Sequence, residues 1–205
     1  MGRNDFMGAI HVERSGLWSA GLTEPEQATV MAITADALAQ AVGHTPTAFD
    51  VDRFALTPAL RIARATFVTL HKGGMLRGCI GSLQPEAPLF QSVHDNALAA
   101  ALHDPRFPSV TGRELLLLEV SVSILSPVEP IDTIAEFRIG EHGIILEKGW
   151  RRAVYLPEVA TEQGWTVEET LISLCQKAGL PTDAWRTGAS FKVFSSEVLS
   201  RRHDV

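Results

Sequence analysis

Cysteine is scarce in this 205-residue chain: Cys79 and Cys175 stand far apart and outside any C-x-x-C pair. That excludes a disulfide framework and a thiolate zinc site, and it fits a reducing compartment, so a cytoplasmic location is expected. Long apolar runs are missing too. The most suggestive stretch, Leu115 to Leu118, stops at Glu119, far short of the ~20 residues a membrane-spanning helix needs. Met1 to Gly16 has no continuous apolar core of signal-peptide length, and Phe6 stands where a myristoylation signal needs Ser or Thr. Neither export nor a lipid anchor is expected. Positive charge is in deficit, with 18 Lys and Arg against 24 Asp and Glu. The resulting net charge of −6 opposes capture of a phosphate backbone, which disfavours nucleic acid as a partner. The seven histidines form no H-E-x-x-H motif and no group at metal-ligand spacing, so no metal is expected. No cofactor motif is found either. Gly73 and Gly78 have P-loop spacing, but Cys79 and Ile80 follow where Lys and Ser or Thr are required. Internal repeats and low-complexity segments are absent.

What is present is the balance of an ordinary folded domain, 45% hydrophobic and 20% charged, at a length that suits one module. Thr23-x-x-Glu26 reads as a capping box with Pro25 in the first turn, which predicts a helix from Thr23 to about Val42 ended by Gly43. Val30, Ile33, Ala37 and Ala41 recur on its inner face. His44 to Phe49 reads as a loop, and a short helical turn is expected near Pro58. Arg64 to Leu70 and Met75 to Leu83 flank Lys72-Gly73-Gly74, the pattern of a β-hairpin. If its second strand is regular, Met75, Arg77, Cys79 and Gly81 share one face. A helix follows from Pro88 to about His103, with Leu89, Val93, Ala97 and Ala100 inward, and Asp104-Pro105 ends it. Leu116, Leu118, Val120, Val122 and Ile124 alternate with Leu117, Glu119, Ser121 and Ser123, as in a central strand with one strongly apolar face.

Beyond Pro127 and Pro130, a helical turn is expected near Ile131 to Glu136, and antiparallel strands at Gly143 to Glu147 and Arg152 to Leu156. Thr166-x-x-Glu169 opens another helix with Leu171, Leu174 and Cys175 inward, closed by Gly179, and Phe191 to Val198 reads as the last strand. Hairpins at both ends with helices between them predict an α+β fold with antiparallel sheet and packed helices.

The run Leu76-Arg77-Gly78-Cys79-Ile80-Gly81 resembles the hexapeptide signature of the AMMECR domain family, protein A of the AmmeMemoRadiSam system. The similarity extends through Ser92-Val93 with Asn96-Ala97, through Asp104-Pro105-Arg106-Phe107, through Ser121 to Pro127 and through His142-Gly143. It continues through Leu156 to Ala160 with Gly164-Trp165 and through Leu174 to Pro181. The resemblance implies a domain over residues 18–200, between an N-terminal extension, 1–17, expected to be flexible, and a tail, 201–205. It implies a two-lobed module with a groove between the lobes, and a Memo-like protein and a radical-SAM protein as partners. It implies no particular reaction.

Cys79 is the sharpest candidate in the signature, because an Arg77 guanidinium on the same face would stabilise the thiolate, the nucleophilic form. A small buried core cysteine is the plainer alternative. Gly78 and Gly81 allow close approach by a ligand or by another element. His142, in a turn before Gly143, is a candidate general acid or base, or a hydrogen-bonded turn residue. Asn96, Asp104 and Arg106 are candidate substrate-binding residues, or else caps and an internal ion pair. Two functions stay open: an enzyme or enzyme component with Cys79 at the groove acting on a small or peptide-like substrate, or a non-catalytic binding subunit for the companion proteins. Access to the Cys79 sulfur distinguishes them.

Overall fold

The structure, a computed structural model, describes residues 9–43 and 48–201. Residues 1–8 of the N-terminal segment, 44–47 of the loop before Phe49, and 202–205 of the tail lie outside the described residues. The fold is α+β with antiparallel sheets, and the chain divides into two compact units. Met1–Glu13, Ala20–Ile124 and Val198–Val205 make up the first, and Arg14–Ser19 with Leu125–Glu197 the second.

In the first unit, α1 (Glu24–Val42) starts at Thr23, whose N–H and hydroxyl both donate to the Glu26 carboxylate at 2.8 Å. The local capping box thus sets its register. Val30, Ile33 and Ala37 are buried on the face that packs against α2 (Leu89–Leu102). Helix α2 in turn lies on the hairpin of β2 (Thr66–Lys72) and β3 (Met75–Gly81). Its stripe of Ala97, Ala100 and Ala101 is small enough to bring helix and sheet backbones close. The five-stranded sheet runs β1 (Ile10–Arg14), β9 (Ser196–Arg201), β4 (Leu118–Leu125), β2, β3, so β4 is central and β3 is an edge. Strand β1 falls in the segment expected as an extension.

The hairpin turn is Gly73-Gly74, both at positive φ, +57° and +75°, a conformation glycine adopts without strain. Leu118, Val120, Val122 and Ile124 are buried as expected. Leu116 is not: it is 71% exposed in a 3-10 turn, Leu115–Leu117, that precedes the strand.

The second unit carries a four-stranded sheet, β5 (Glu129–Ile131), β8 (Ser190–Phe194), β6 (Gly143–Lys148) and β7 (Arg151–Tyr155). A short helix, α3 (Pro157–Glu162), lies near β6 and α4 (Val167–Lys177) near β7. The Thr166–Glu169 box caps α4, and Leu171, Leu174 and Cys175 are fully buried beside Ile144 and Leu146. The single last strand expected over Phe191 to Val198 is two strands in two sheets. The break is at Ser195, where backbone pairing leaves the ladder: Ser126 Oγ accepts the Ser195 N–H at 2.9 Å and the Ser126 N–H donates to Ser195 O.

Candidate active site

The strand that carries Cys79 is irregular. Leu70 pairs with Gly78, but the next residue, His71, pairs with Leu76, so Arg77 is an extra residue in β3, a β-bulge. The consequence is geometric. Counted without a bulge from the Lys72–Met75 pair, Cys79 would face Val68, on the buried side under α2. With the bulge, Cys79 pairs with Thr69 on the opposite face, and Gly78 takes the inward position. Only glycine fits there, because a Cβ would overlap the Ala100 carbonyl oxygen of α2. Gly81 is likewise pressed against the Thr66 carbonyl and the Phe67 ring, so both glycines serve contact with neighbouring elements.

On its own face Cys79 is half-buried, and Thr69 Oγ1 donates to its sulfur at 3.3 Å. Ser121 of β4 pairs with Thr69 from the other side, so Cys79, Thr69 and Ser121 form a row across three strands. In the next row along, Glu119 of β4 pairs with His71 of β2. These side chains share the face turned away from α2, and all five are half-buried.

The peptide of Cys79 is gripped from the open edge of β3. Its N–H donates to Asp104 Oδ2 at 2.8 Å, and its carbonyl accepts from Arg106 Nη2 at 3.2 Å. Arg106 also reaches Asp104 Oδ2 at 2.7 Å through Nη2, and Asp104 Oδ1 through Nε at 2.9 Å and its own backbone N–H at 3.0 Å. One carboxylate and one guanidinium therefore occupy the places a neighbouring strand's carbonyl and amide would take. The Arg106 side chain holds the Asp104 carboxyl well below the ordinary carboxylate range against the opposing effect of burial, helped by the two backbone donors. Asp104 in turn raises the Arg106 guanidinium above its usual value.

The other residues singled out in the sequence have hydrogen-bond partners of their own. Arg77 leaves at the bulge toward the loop after α2. Its Nε donates to Glu114 Oε1 at 3.0 Å, its Nη1 to Pro108 O at 2.9 Å, and its Nη2 to Ser109 O at 3.3 Å. Lys72 joins the same carboxylate at 3.0 Å, and Arg77 first and Lys72 second hold Glu114 well below its usual range. The guanidinium next to the Cys79 peptide is thus that of Arg106, and the expected Arg77–sulfur pairing gives way to an Arg77–Glu114 tie. Asn96 Nδ2 donates to Thr66 Oγ1 at 2.9 Å and to Thr66 O at 3.2 Å, fixing α2 to β2. His142 belongs to the second unit, where its Nδ1 accepts the Arg138 N–H at 3.3 Å.

His71, Thr69, Ser121 and Glu119 were not picked out from the sequence. Period two along the hairpin would have put Thr69 and His71 on one face, but their alignment with Cys79 depends on the bulge.

The AMMECR1 family profile matches residues 31–199. The chain belongs to the AMMECR1 family. It is 46% identical over 136 residues to a protein of Methanothermobacter thermautotrophicus, covering 63% of this chain and 71% of that one. It is 40% identical over 152 residues to one of Methanosarcina acetivorans, covering 72% and 76%. A crystal structure of an uncharacterized protein from Pyrococcus horikoshii superposes with a TM-score of 0.79 at 31% identity, covering 89% of this chain and 94% of that one. The AMMECR1 match includes the whole of α2, the hairpin and β4, and so every residue of the polar face just described. Among the described residues no group of three or more His, Cys, Asp or Glu is arranged to hold a metal ion, and no helix is long and apolar enough to cross a membrane.

Proposed function

We propose that this AMMECR1-family chain is an enzyme or enzyme component in which Cys79 is the nucleophile toward a small or peptide-like substrate, lying on the polar face of the five-stranded sheet. One observation carries the reading. An inserted residue turns the Cys79 side chain out of the core and onto a half-open face where a threonine hydroxyl meets its sulfur. Bulges that re-aim a side chain are common beside active sites, and a buried structural cysteine needs none. Asp104 and Arg106 act in this reading as positioning residues, since they immobilise the backbone that presents the sulfur, while Asn96 ties α2 to the neighbouring strand β2. A cytoplasmic setting would keep the thiol reduced.

A second reading rests on a different observation. Met75, Leu76, Leu116 and Leu117 are exposed apolar side chains at or near the β3 end of the sheet, which suits a subunit docking Memo-like and radical-SAM proteins.

The test is partial labelling with limiting iodoacetamide, located by mass spectrometry, together with release of p-nitrophenolate from p-nitrophenyl acetate. The catalytic reading expects Cys79 to label well before Cys175, whose thiol is pushed up by burial, and expects a burst of one equivalent that Cys79→Ser abolishes. Equal protection of both thiols until unfolding would leave the docking reading in possession.

A further inference from the structure

Around Cys79 the charged groups named by the sequence are already spent: Arg106 on Asp104, and Arg77 and Lys72 on Glu114. Two titratable groups on the Cys79 face are not. Among the described residues no hydrogen bond or ion pair occupies the side chain of His71 or of Glu119, and both are half-buried rather than fully solvated. An imidazole and a carboxylate left uncommitted on the face of an ordered sheet are available for proton transfer.

Their placement follows from the ladder. Glu119 and His71 are direct cross-strand partners in β4 and β2. Cys79 is the partner of Thr69, two residues before His71 on the same face, so His71 and Cys79 are diagonal neighbours. Diagonal neighbours in a regular ladder lie ~7–8 Å apart, a span one water can bridge. The extra residue Arg77 falls on β3 between these two rows, so here the spacing is set by the bulge as well as by the ladder. The carboxylate, imidazole and thiol then run in sequence across three adjacent strands. The other basic groups of these strands, Lys72 and Arg77, are turned to Glu114. Leu76, paired with His71 from the β3 side, supplies apolar surface next to the ring.

We infer that Glu119, His71 and Cys79 form a proton relay on the face of the five-stranded sheet turned away from α2, with His71 as general base for the thiol and Glu119 orienting the imidazole, for substrates with an electrophilic acyl carbon. The inference rests on the reading of Cys79 as nucleophile and adds its base and its substrate class. His71 takes the thiol proton, and the sulfur bonds to the acyl carbon as the carbonyl π pair moves onto oxygen. When the carbonyl re-forms, the leaving group departs with the proton held by His71, and the acyl group remains on Cys79. Water then attacks that carbon, giving its proton to His71. The carbon–sulfur bond breaks and the thiolate recovers the proton, so acid and free enzyme are released.

The experiment measures the rate of Cys79 alkylation by iodoacetamide in the folded full chain at pH 7.0 and pH 9.5, for wild type, His71→Gln, His71→Ala, Glu119→Gln and Gly112→Ala. The relay predicts a fall of about tenfold or more at pH 7.0 in both His71 variants, and a smaller fall in Glu119→Gln. It predicts that the loss nearly disappears at pH 9.5, where hydroxide ionises the thiol directly, and that added imidazole restores the rate in His71→Ala. Gly112→Ala, where an added Cβ meets nothing within 4 Å, stays near wild type. A merely structural histidine would give neither the pH-selective loss nor the rescue. Cys79 labelling ahead of Cys175 with His71 variants within twofold of wild type at pH 7.0 overturns the relay and leaves the nucleophile reading standing. If Cys79 labels no faster than Cys175 in wild type, both fall. Should either His71 variant lose its fold by circular dichroism, Glu119→Gln decides, and a rate within 20% of wild type at pH 7.0 counts against the relay.

Discussion

Replacing Asp104 tests how the Cys79 strand is held. The side chain is 2% exposed and accepts four hydrogen bonds, from the Cys79 N–H, the Arg106 N–H and two nitrogens of the Arg106 guanidinium. In Asp104→Ala the guanidinium, 54% exposed, can return to water, whereas the two backbone amides lose their acceptor. At ~1–1.5 kcal/mol for each amide left short, the first unit should lose about 2–3 kcal/mol. Asp104→Asn keeps one acceptor oxygen and should lose about half of that.

The charge adds a pH signature. The folded carboxyl lies below its unfolded value of ~3.9, so its contribution is fully present above that value and is lost as pH falls toward the depressed folded one. Glu114 titrates in the same direction in both proteins and cancels in the comparison. Urea unfolding of wild type and Asp104→Asn should therefore show a constant gap between about pH 8 and pH 5 that narrows below about pH 4. Hydrogen exchange at the Cys79 amide should rise in both variants at pH 7. A gap under about 0.5 kcal/mol at pH 7, or one that persists unchanged at pH 3, would refute the role given to the carboxylate.

Further expectations follow from single contacts. Gly78→Ala forces a Cβ onto the Ala100 carbonyl, whereas Gly112→Ala meets nothing within 4 Å. The first should lower Tm by roughly 4–10 °C and the second by about a degree at most, in paired thermal scans. Thr69→Val removes the hydroxyl from the Cys79 sulfur and should slow alkylation at neutral pH about threefold, with Cys175 labelling unchanged. Arg77→Ala breaks the tie to Glu114 and to the Pro108 and Ser109 carbonyls, so limited proteolysis should accelerate in the segment 108–114. Cys79 labelling in that variant should stay within about twofold of wild type, since Arg106 and not Arg77 lies at its peptide.

Elements whose cause is local were legible in the sequence. The capping boxes at Thr23 and Thr166, the Gly73-Gly74 turn and the stop at Asp104-Pro105 each depend on residues a few positions apart. Alternation in Leu118 to Ile124 likewise reported a central strand. Features with distant causes were not legible. The bulge at Arg77 follows from the approach of Ala100 to Gly78, and the break at Ser195 from Ser126, 69 residues earlier. The candidate site divides the same way. Cys79 stood out through its signature, but its partners on the sheet face depend on register among three strands, and Arg77 was drawn toward the sulfur by assuming a regular strand. Asp104 and Arg106 were noted both as an ion pair and as site residues; their grip on the Cys79 peptide needed the path of the chain after α2.

The grip of Asp104 and Arg106 on β3 also bears on how the protein behaves at high concentration. An edge strand with free amides and carbonyls is a template for another chain, and β3 brings exposed Met75 and Leu76 to that edge. Where Asp104 and Arg106 saturate the Cys79 peptide, no incoming strand can complete a ladder. Variants at these two positions should therefore drift toward larger assemblies and turbidity, and light scattering alongside any assay separates a lost reaction from edge-to-edge association.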